Sequence, residues 1–157
     1  MRHWLFKTEP GEYSIDDLAA APQGIARWDG IRNYQARNLL RDEVQIGDQI
    51  LVYHSSCKPA GVAGIAQVVR SGYPDPAQFD LTSAYHDAKA DPQSPRWFCV
   101  DIRLVEKFPR LITLQTIKKQ AVLANMTLLK QGRLSIQPVS AAQWRRIQAL
   151  SDSASQA

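Results

Sequence analysis

The chain has 157 residues, 45% of them hydrophobic and 22% charged, enough for one domain with a real core. No run of about 18 apolar residues occurs, so nothing reads as a membrane span, and the charged start Met1-Arg2-His3-Trp4-Leu5-Phe6-Lys7 is not expected to be a secretory signal. The formal net charge of +4 is unevenly spread: nine Lys/Arg stand against two Asp/Glu from Ile102 onward, ten against thirteen before it, so the last third favours a polyanionic partner.

In chain order, His3–Thr8 reads as an aromatic-rich strand ended by Pro10-Gly11. Ser14-Ile15-Asp16-Asp17 is a capping-box pattern for a short helix to Ala20, which Pro22-Gln23-Gly24 breaks. A second helix is expected from Arg32 to Leu40. Gly47-Asp48 turns into the apolar strand Gln49–His54, and Gly61–Val69 reads as another, weakened by Gly61 and Gly64. Gly72–Pro76 and Phe79–Asp91 read as loops. Pro95–Val105 is the longest strand signal. Thr113 opens a short helix through Lys119, and Leu123, Met126 and Leu129 have core spacing. Leu134–Val139 is a late strand, placed at an edge by Pro138. Ser140 and Gln143 cap a last helix to about Leu150. The domain therefore covers 1–150, with a frayed tail over 151–157. Strands and helices do not alternate regularly, which favours α+β with a curled mixed sheet over a doubly wound fold.

The richest stretch is Trp28-Asp29-Gly30-Ile31-Arg32-Asn33-Tyr34-Gln35-Ala36-Arg37-Asn38. It sets rings, guanidiniums and amides beside a glycine that permits a tight turn. A turn feeding a helix aims N–H groups at one spot. With Trp28 as a stacking platform, the spot suits a flat polar ligand such as a nucleobase. Lys7 and Glu9 end one strand, and Tyr53, His54 and Ser55 end another. Strand ends that meet this stretch would form a pocket of the small-ligand kind. Trp28, Asn33, Tyr34 and Tyr53 are expected to converge on one electropositive cavity, with Lys7 and His54 at its wall.

Other chemistries find little support. The glycines never reach a phosphate-loop spacing, and His3, His54 and His86 stand apart, so no metal and no cofactor is expected. His54 is adjacent to Ser55, but neighbours on a strand point to opposite faces, so adjacency does not make a dyad. Cys57 and Cys99 lack a motif spacing and are expected to be free thiols of a cytoplasmic protein.

Trp4–Pro10, Trp28–Asn38, Gly47–Ser55, Pro95-Arg96-Trp97 and Arg133–Val139 occur in an order that resembles the EVE domain, which small bacterial proteins carry alone. The resemblance covers nearly the whole chain to Leu150. It implies a PUA-like pseudo-barrel of five or six mixed strands with helices inserted around it, similar to YTH and ASCH domains. It implies a non-enzymatic partner of nucleic acid, DNA or RNA, that reads a modified base, with modified cytosine in DNA favoured. The base would be flipped into a pocket. Carried over by motif, Lys7, Glu9, Trp28, Arg32, Asn33, Tyr34, Tyr53, His54 and Ser55 would bind it. Arg32 and Arg37 could hold flanking phosphate. Phe79, Tyr85 and Trp97 are further candidates that core packing would equally explain. The alternative is hydrolysis of an acyl-modified cytidine, as in some ASCH proteins, using Lys7, Thr8 and Glu9. Strand alternation argues against it by turning Thr8 away from the other two.

Overall fold

The computed structural model describes residues 1–155. Its strands are β1 (His3–Thr8), β2 (Ile25–Trp28), β3 (Gln49–His54), β4 (Gly61–Pro74), β5 (Phe98–Thr113) and β6 (Ile136–Val139). They form one six-stranded sheet in the order β2-β5-β4-β3-β1-β6. β1 runs parallel to β3, and every other neighbouring pair is antiparallel. This is the expected mixed α+β sheet.

The sheet curls without closing. β2 and β1 stand four places apart, which in a flat sheet would separate them by roughly 19 Å. Yet the rings of Phe6 and Trp28 lie 6.0 Å apart. Where β4 and β5 change register near Val62/Gly64, a Cβ on Gly64 would strike the Glu106 carbonyl, so the glycine permits the bulge that helps bend the strands. β2 and β6 remain as edges, and β6 carries the Pro138 that cannot donate to a ladder.

Alternation along β1 and β3 divides the core in two. Trp4, Phe6, Ile50 and Val52 point into the curl with Trp28, Val100 and Ile102. Helices α1 (Ile15–Ala20) and α2 (Tyr34–Asp42) add Leu18, Ala36 and Leu40 to that core. Leu5, Leu51 and Tyr53 point the other way. There α3 (Leu114–Lys118) and α5 (Ala141–Ser155) contribute Ile117, Trp144 and Ile147. The short α4 (Thr127–Lys130) adds Leu128, beside Leu123 and Met126.

Three helix starts follow the side-chain caps read from sequence. Ser14 and Asp17 cap each other's backbone, Thr113 accepts from Thr116 N–H, and Ser140 and Gln143 form a reciprocal box. Other boundaries moved. β2 was not anticipated. β4 runs past Val69 through the expected 72–76 loop as far as Pro74, and β5 begins at Phe98 but continues to Thr113. α5 reaches Ser155, and Ser151, at the head of the expected frayed tail, is buried. Residues 156–157 of that tail lie outside the described residues.

Candidate functional site

The parallel pairing of β1 and β3 brings their C-terminal ends together, with Lys7 opposite Tyr53 and Thr8 opposite His54. Ser55 N–H then donates to the Thr8 carbonyl at 2.9 Å. The end of β2 and its following loop stand across from these ends because the sheet curls. Between them lies a cleft of about 790 Å³. Its walls are Lys7, Thr8, Glu9, Tyr53, Ser55 and Ser56 from the β1 and β3 ends, and Trp28 to Arg32 from the β2 end, joined by Tyr85. Glu12, Tyr13, Arg27, Ala60, Leu114, Gly132, Arg133 and Ser135 complete it.

The β2 wall is fixed by one buried carboxylate. Asp75 is fully buried and accepts from Gly30 N–H at 2.9 Å, Ala77 N–H at 2.7 Å and Arg32 Nη1 at 3.0 Å. Arg32 also donates to the carbonyls of Tyr85, at 2.7 Å from Nη2, and Ile31, at 3.1 Å. Gly30 has φ +76, and a Cβ there would sit 2.9 Å from the Tyr85 ring. The loop can therefore turn and the ring can close over it only with glycine at this position. Arg32 thus positions the wall, and its guanidinium is spent on protein acceptors rather than turned outward to phosphate.

On the opposite wall, Lys7 donates to the Gly132 carbonyl and lies 5.5 Å from the Tyr53 ring centroid. Burial lowers the Lys7 pKa and raises that of Tyr53. Thr8 lines the cleft beside Lys7 and Glu9, but its hydroxyl donates to the Tyr13 carbonyl at 2.7 Å.

Trp28 is both wall and core. It is 6% exposed, with the Phe6 ring on one side and the Tyr13 ring edge-on at 6.1 Å. Among the described residues, the Trp28 indole N–H and the Tyr53 hydroxyl have no hydrogen-bond partner, and neither atom is sealed from solvent. Of the other three indoles, Trp4 donates to Asp48 at 2.9 Å and Trp97 to Asp87 at 2.8 Å, while Trp144, 4% exposed, likewise has no hydrogen-bond partner among the described residues.

Several expected residues lie elsewhere. Asn33 is the N-cap of α2, its side-chain oxygen accepting from Ala36 N–H at 2.9 Å. The helix therefore starts at Tyr34 and not Arg32, and this amide oxygen is taken. Tyr34 is 53% exposed and stacks on Trp97 at 4.9 Å, outside the cleft. Arg37 lies over the Tyr34 ring and donates to the Arg96 carbonyl at 3.0 Å. His54 faces α1, its Nε2 accepting from Ile15 N–H at 3.1 Å, and burial lowers its pKa. Trp97 is buried behind Tyr34, and Phe79 is not on the lining. The expected electropositive cavity is instead nearly balanced. Lys7, Arg27, Arg32 and Arg133 line it with Glu9, Glu12 and Asp29, while Arg27 pairs with Asp29 and Arg32 with Asp75. Cys57 and Cys99 are both free, and burial pushes the Cys99 thiol up to about 12.

This curled sheet with a cleft at its strand ends can be set beside known proteins. The EVE domain profile matches residues 2–150. The chain belongs to the EVE domain family. Chicken thymocyte nuclear protein 1 is 39% identical over 155 residues, 88% of this chain, and the match spans 64% of that longer relative. A solved structure from Leishmania major superposes with TM-score 0.94 at 42% identity, covering 99% of this chain and 97% of its own. Human THYN1, solved in complex with 5-methylcytosine-containing DNA, superposes with TM-score 0.91 at 36% identity, covering 96% and 98%. A Zymomonas mobilis ASCH protein, at 12% identity and TM-score 0.56, shares the fold alone.

Among the EVE residues anticipated from sequence, Lys7, Glu9, Trp28, Arg32, Tyr53, Ser55 and Tyr85 share the cleft. Sequence reasoning missed Tyr13, Glu12 and Arg27 there, and the buried Asp75 that holds the wall from behind. Arg133 and Ser135 were visible within a matching motif but were not read as lining. The cap that Asp75 places on Ala77 N–H is local, but its partners in the cleft wall, Arg32 and Gly30, lie 43 and 45 residues away.

Proposed function

We propose that this EVE domain is a non-enzymatic reader of a modified base, with modified cytosine in DNA the favoured ligand and modified RNA the second. The base leaves its stack and enters the cleft between the β1/β3 ends and the Trp28–Arg32 wall. One observation carries the reading: a cleft of about 790 Å³ lined by aromatic rings and a few polar groups, in a chain that superposes at TM-score 0.91 on human THYN1, which was solved with 5-methylcytosine-containing DNA. Unstacking a base costs roughly a few kcal/mol, and contact with aromatic walls returns roughly 1–3 kcal/mol. A methyl group adds apolar contact only, so it sharpens selection modestly unless the fit is close.

The hydrolase alternative asks Lys7, Thr8 and Glu9 to work as one cluster. Against it, the Thr8 hydroxyl proton is given to the Tyr13 carbonyl. Incubation with N4-acylated cytidines separates the two readings, since a reader releases no product. Pull-down with DNA and RNA oligonucleotides, each bearing one modified base beside unmodified controls, tests the reader. Selective capture of a modified oligonucleotide supports it, and equal capture of modified and unmodified strands contradicts it.

A further inference from the structure

Tyr34 is 53% exposed, while every other tryptophan, tyrosine and phenylalanine is buried or half-buried. The ring is also held in place. It stacks on Trp97 at 4.9 Å with the planes 27° apart. Trp97 is itself fixed: its indole donates to Asp87 at 2.8 Å, and its backbone N–H and carbonyl both meet the side chain of the buried Gln78. Leaving a ring in water forgoes the gain of burying it, and holding it still costs side-chain entropy. A ring that is both exposed and held suits a flat partner. Beside it, Arg37 lies 4.9 Å from the Tyr34 ring centroid and donates to the Asn38 side-chain oxygen at 2.9 Å and the Arg96 carbonyl at 3.0 Å. Both acceptors are uncharged, whereas Arg32, Arg41 and Arg96 each meet a carboxylate. Arg37 thus keeps its positive charge unneutralised, with N–H donors to spare.

This pair stands on the outer side of the cleft wall. The Arg32 guanidinium lies 5.4 Å from the Trp97 ring and 5.6 Å from the ring of Tyr85, which lines the cleft. Gln35, the next residue along α2, reaches Gln131 at 3.5 Å, beside the lining residues Gly132 and Arg133. Resting on the reader function above, we propose that Tyr34 and Arg37 form a second subsite, outside the cleft, for the strand that leaves it. Tyr34 stacks on a base flanking the modified one, and Arg37 holds a phosphate between them. A ring with a free guanidinium beside it matches a base and its phosphate together. Every base has a π-face, so this subsite adds affinity without sequence preference and leaves the choice of modification to the cleft. The partner it fits is a single strand, or a duplex opened around the modified base.

The test uses a single-stranded oligonucleotide carrying one 5-methylcytosine, and versions of it with an abasic sugar at each flanking position in turn. Tyr34→Ala should weaken binding of the intact strand roughly ten-fold, the range of one lost base–aromatic stack, and Tyr34→Phe should restore it. In wild type, one flanking abasic position should cost about as much as Tyr34→Ala, and in Tyr34→Ala that same position should cost nothing more. Arg37→Gln should lower the log–log salt slope by about 0.7, the share of one phosphate on a single strand. Intact-strand affinity unchanged by Tyr34→Ala overturns this inference and leaves the reader in place. So does an abasic penalty that persists in full in Tyr34→Ala, because the lost affinity then comes from the cleft wall behind Trp97 and not from a stacked base. A wild-type chain that binds the modified and unmodified strands equally overturns the reader and this inference with it.

Discussion

Arg32 donates at 3.0 Å to Asp75, a carboxylate with no exposed surface. The acid end of this pair is sealed while the guanidinium is partly open to the cleft, so the pair ties the cleft wall to the interior. Breaking it by Arg32→Met leaves a buried charge with backbone N–H partners alone. The expected destabilisation is about 3–5 kcal/mol, measured by urea unfolding. Arg32→Lys should recover only part of it, because an ammonium cannot fork between Asp75 and the Tyr85 carbonyl. A loss below about 1 kcal/mol, the range of a surface pair, would show that the pair does not hold the wall.

Gly30→Ala should fail in two ways at once. Its φ of +76 disfavours a side chain, and the new Cβ would meet the Tyr85 ring at 2.9 Å. Stability should fall by roughly 1–2 kcal/mol, and oligonucleotide affinity should fall with the displaced ring. Gly11→Ala is the control, since a Cβ there meets nothing within 4 Å. Equal melting temperatures for the two variants would contradict the tight turn.

His54 gives a pH dependence with a definite sign. Its Nε2 accepts from Ile15 N–H, so the folded state needs the neutral ring. Burial is the main cause of its lowered pKa, with Asp16 opposing and Lys107 adding to the shift. The unfolded chain therefore binds a proton more readily. Stability from this group is complete above the ordinary histidine value of 6.5 and is lost as pH falls through the lower folded value. His54→Gln should flatten the stability profile between about pH 7 and 5, read as melting temperature against pH. His3 shifts the same way, so the comparison with wild type isolates His54. An unchanged slope would contradict the assignment.

The balanced cleft predicts a split in salt dependence. Binding of an isolated modified nucleoside should be nearly flat with salt. Binding of an oligonucleotide should weaken steeply, with a log–log slope of roughly −0.7 to −0.9 per phosphate contacted, because the basic residues of the last third lie mostly outside the cleft lining. Titration at several salt concentrations checks both. A flat oligonucleotide profile would mean that those residues form a solvated face.

Local chemistry made much of the fold legible. Apolar alternation in His3–Thr8 and Gln49–His54 and the caps at Ser14, Thr113 and Ser140 are short-range signals, and they placed the elements that carry Lys7 and Tyr53. β2 was hidden because it has four residues, Ile-Ala-Arg-Trp, with neither a clear run nor clear alternation, and it pairs with β5 alone. Asn33 was misread although the signal was present: asparagine is a preferred N-cap, and starting the helix at Arg32 turned a cap into a reader. Asp75 sits between two prolines in a stretch that reads as loop, so its role depends on a tertiary approach no spacing reveals. Trp28 was anticipated at the site, but its packing against Phe6 and Tyr13 arises from sheet curl, which a linear pattern does not contain.

The most direct test of the central claim follows the indole N–H signals in a two-dimensional ¹⁵N–¹H spectrum while an oligonucleotide containing 5-methylcytosine is added. Trp28 lines the cleft, whereas the Trp4 and Trp97 indoles are held by Asp48 and Asp87. A base entering the cleft should shift the Trp28 signal strongly and leave that of Trp4 in place, and the unmodified strand at the same concentration should shift Trp28 less and Trp4 not at all. A Trp28 signal that stays fixed while the modified strand saturates the protein would place the base elsewhere and contradict the account.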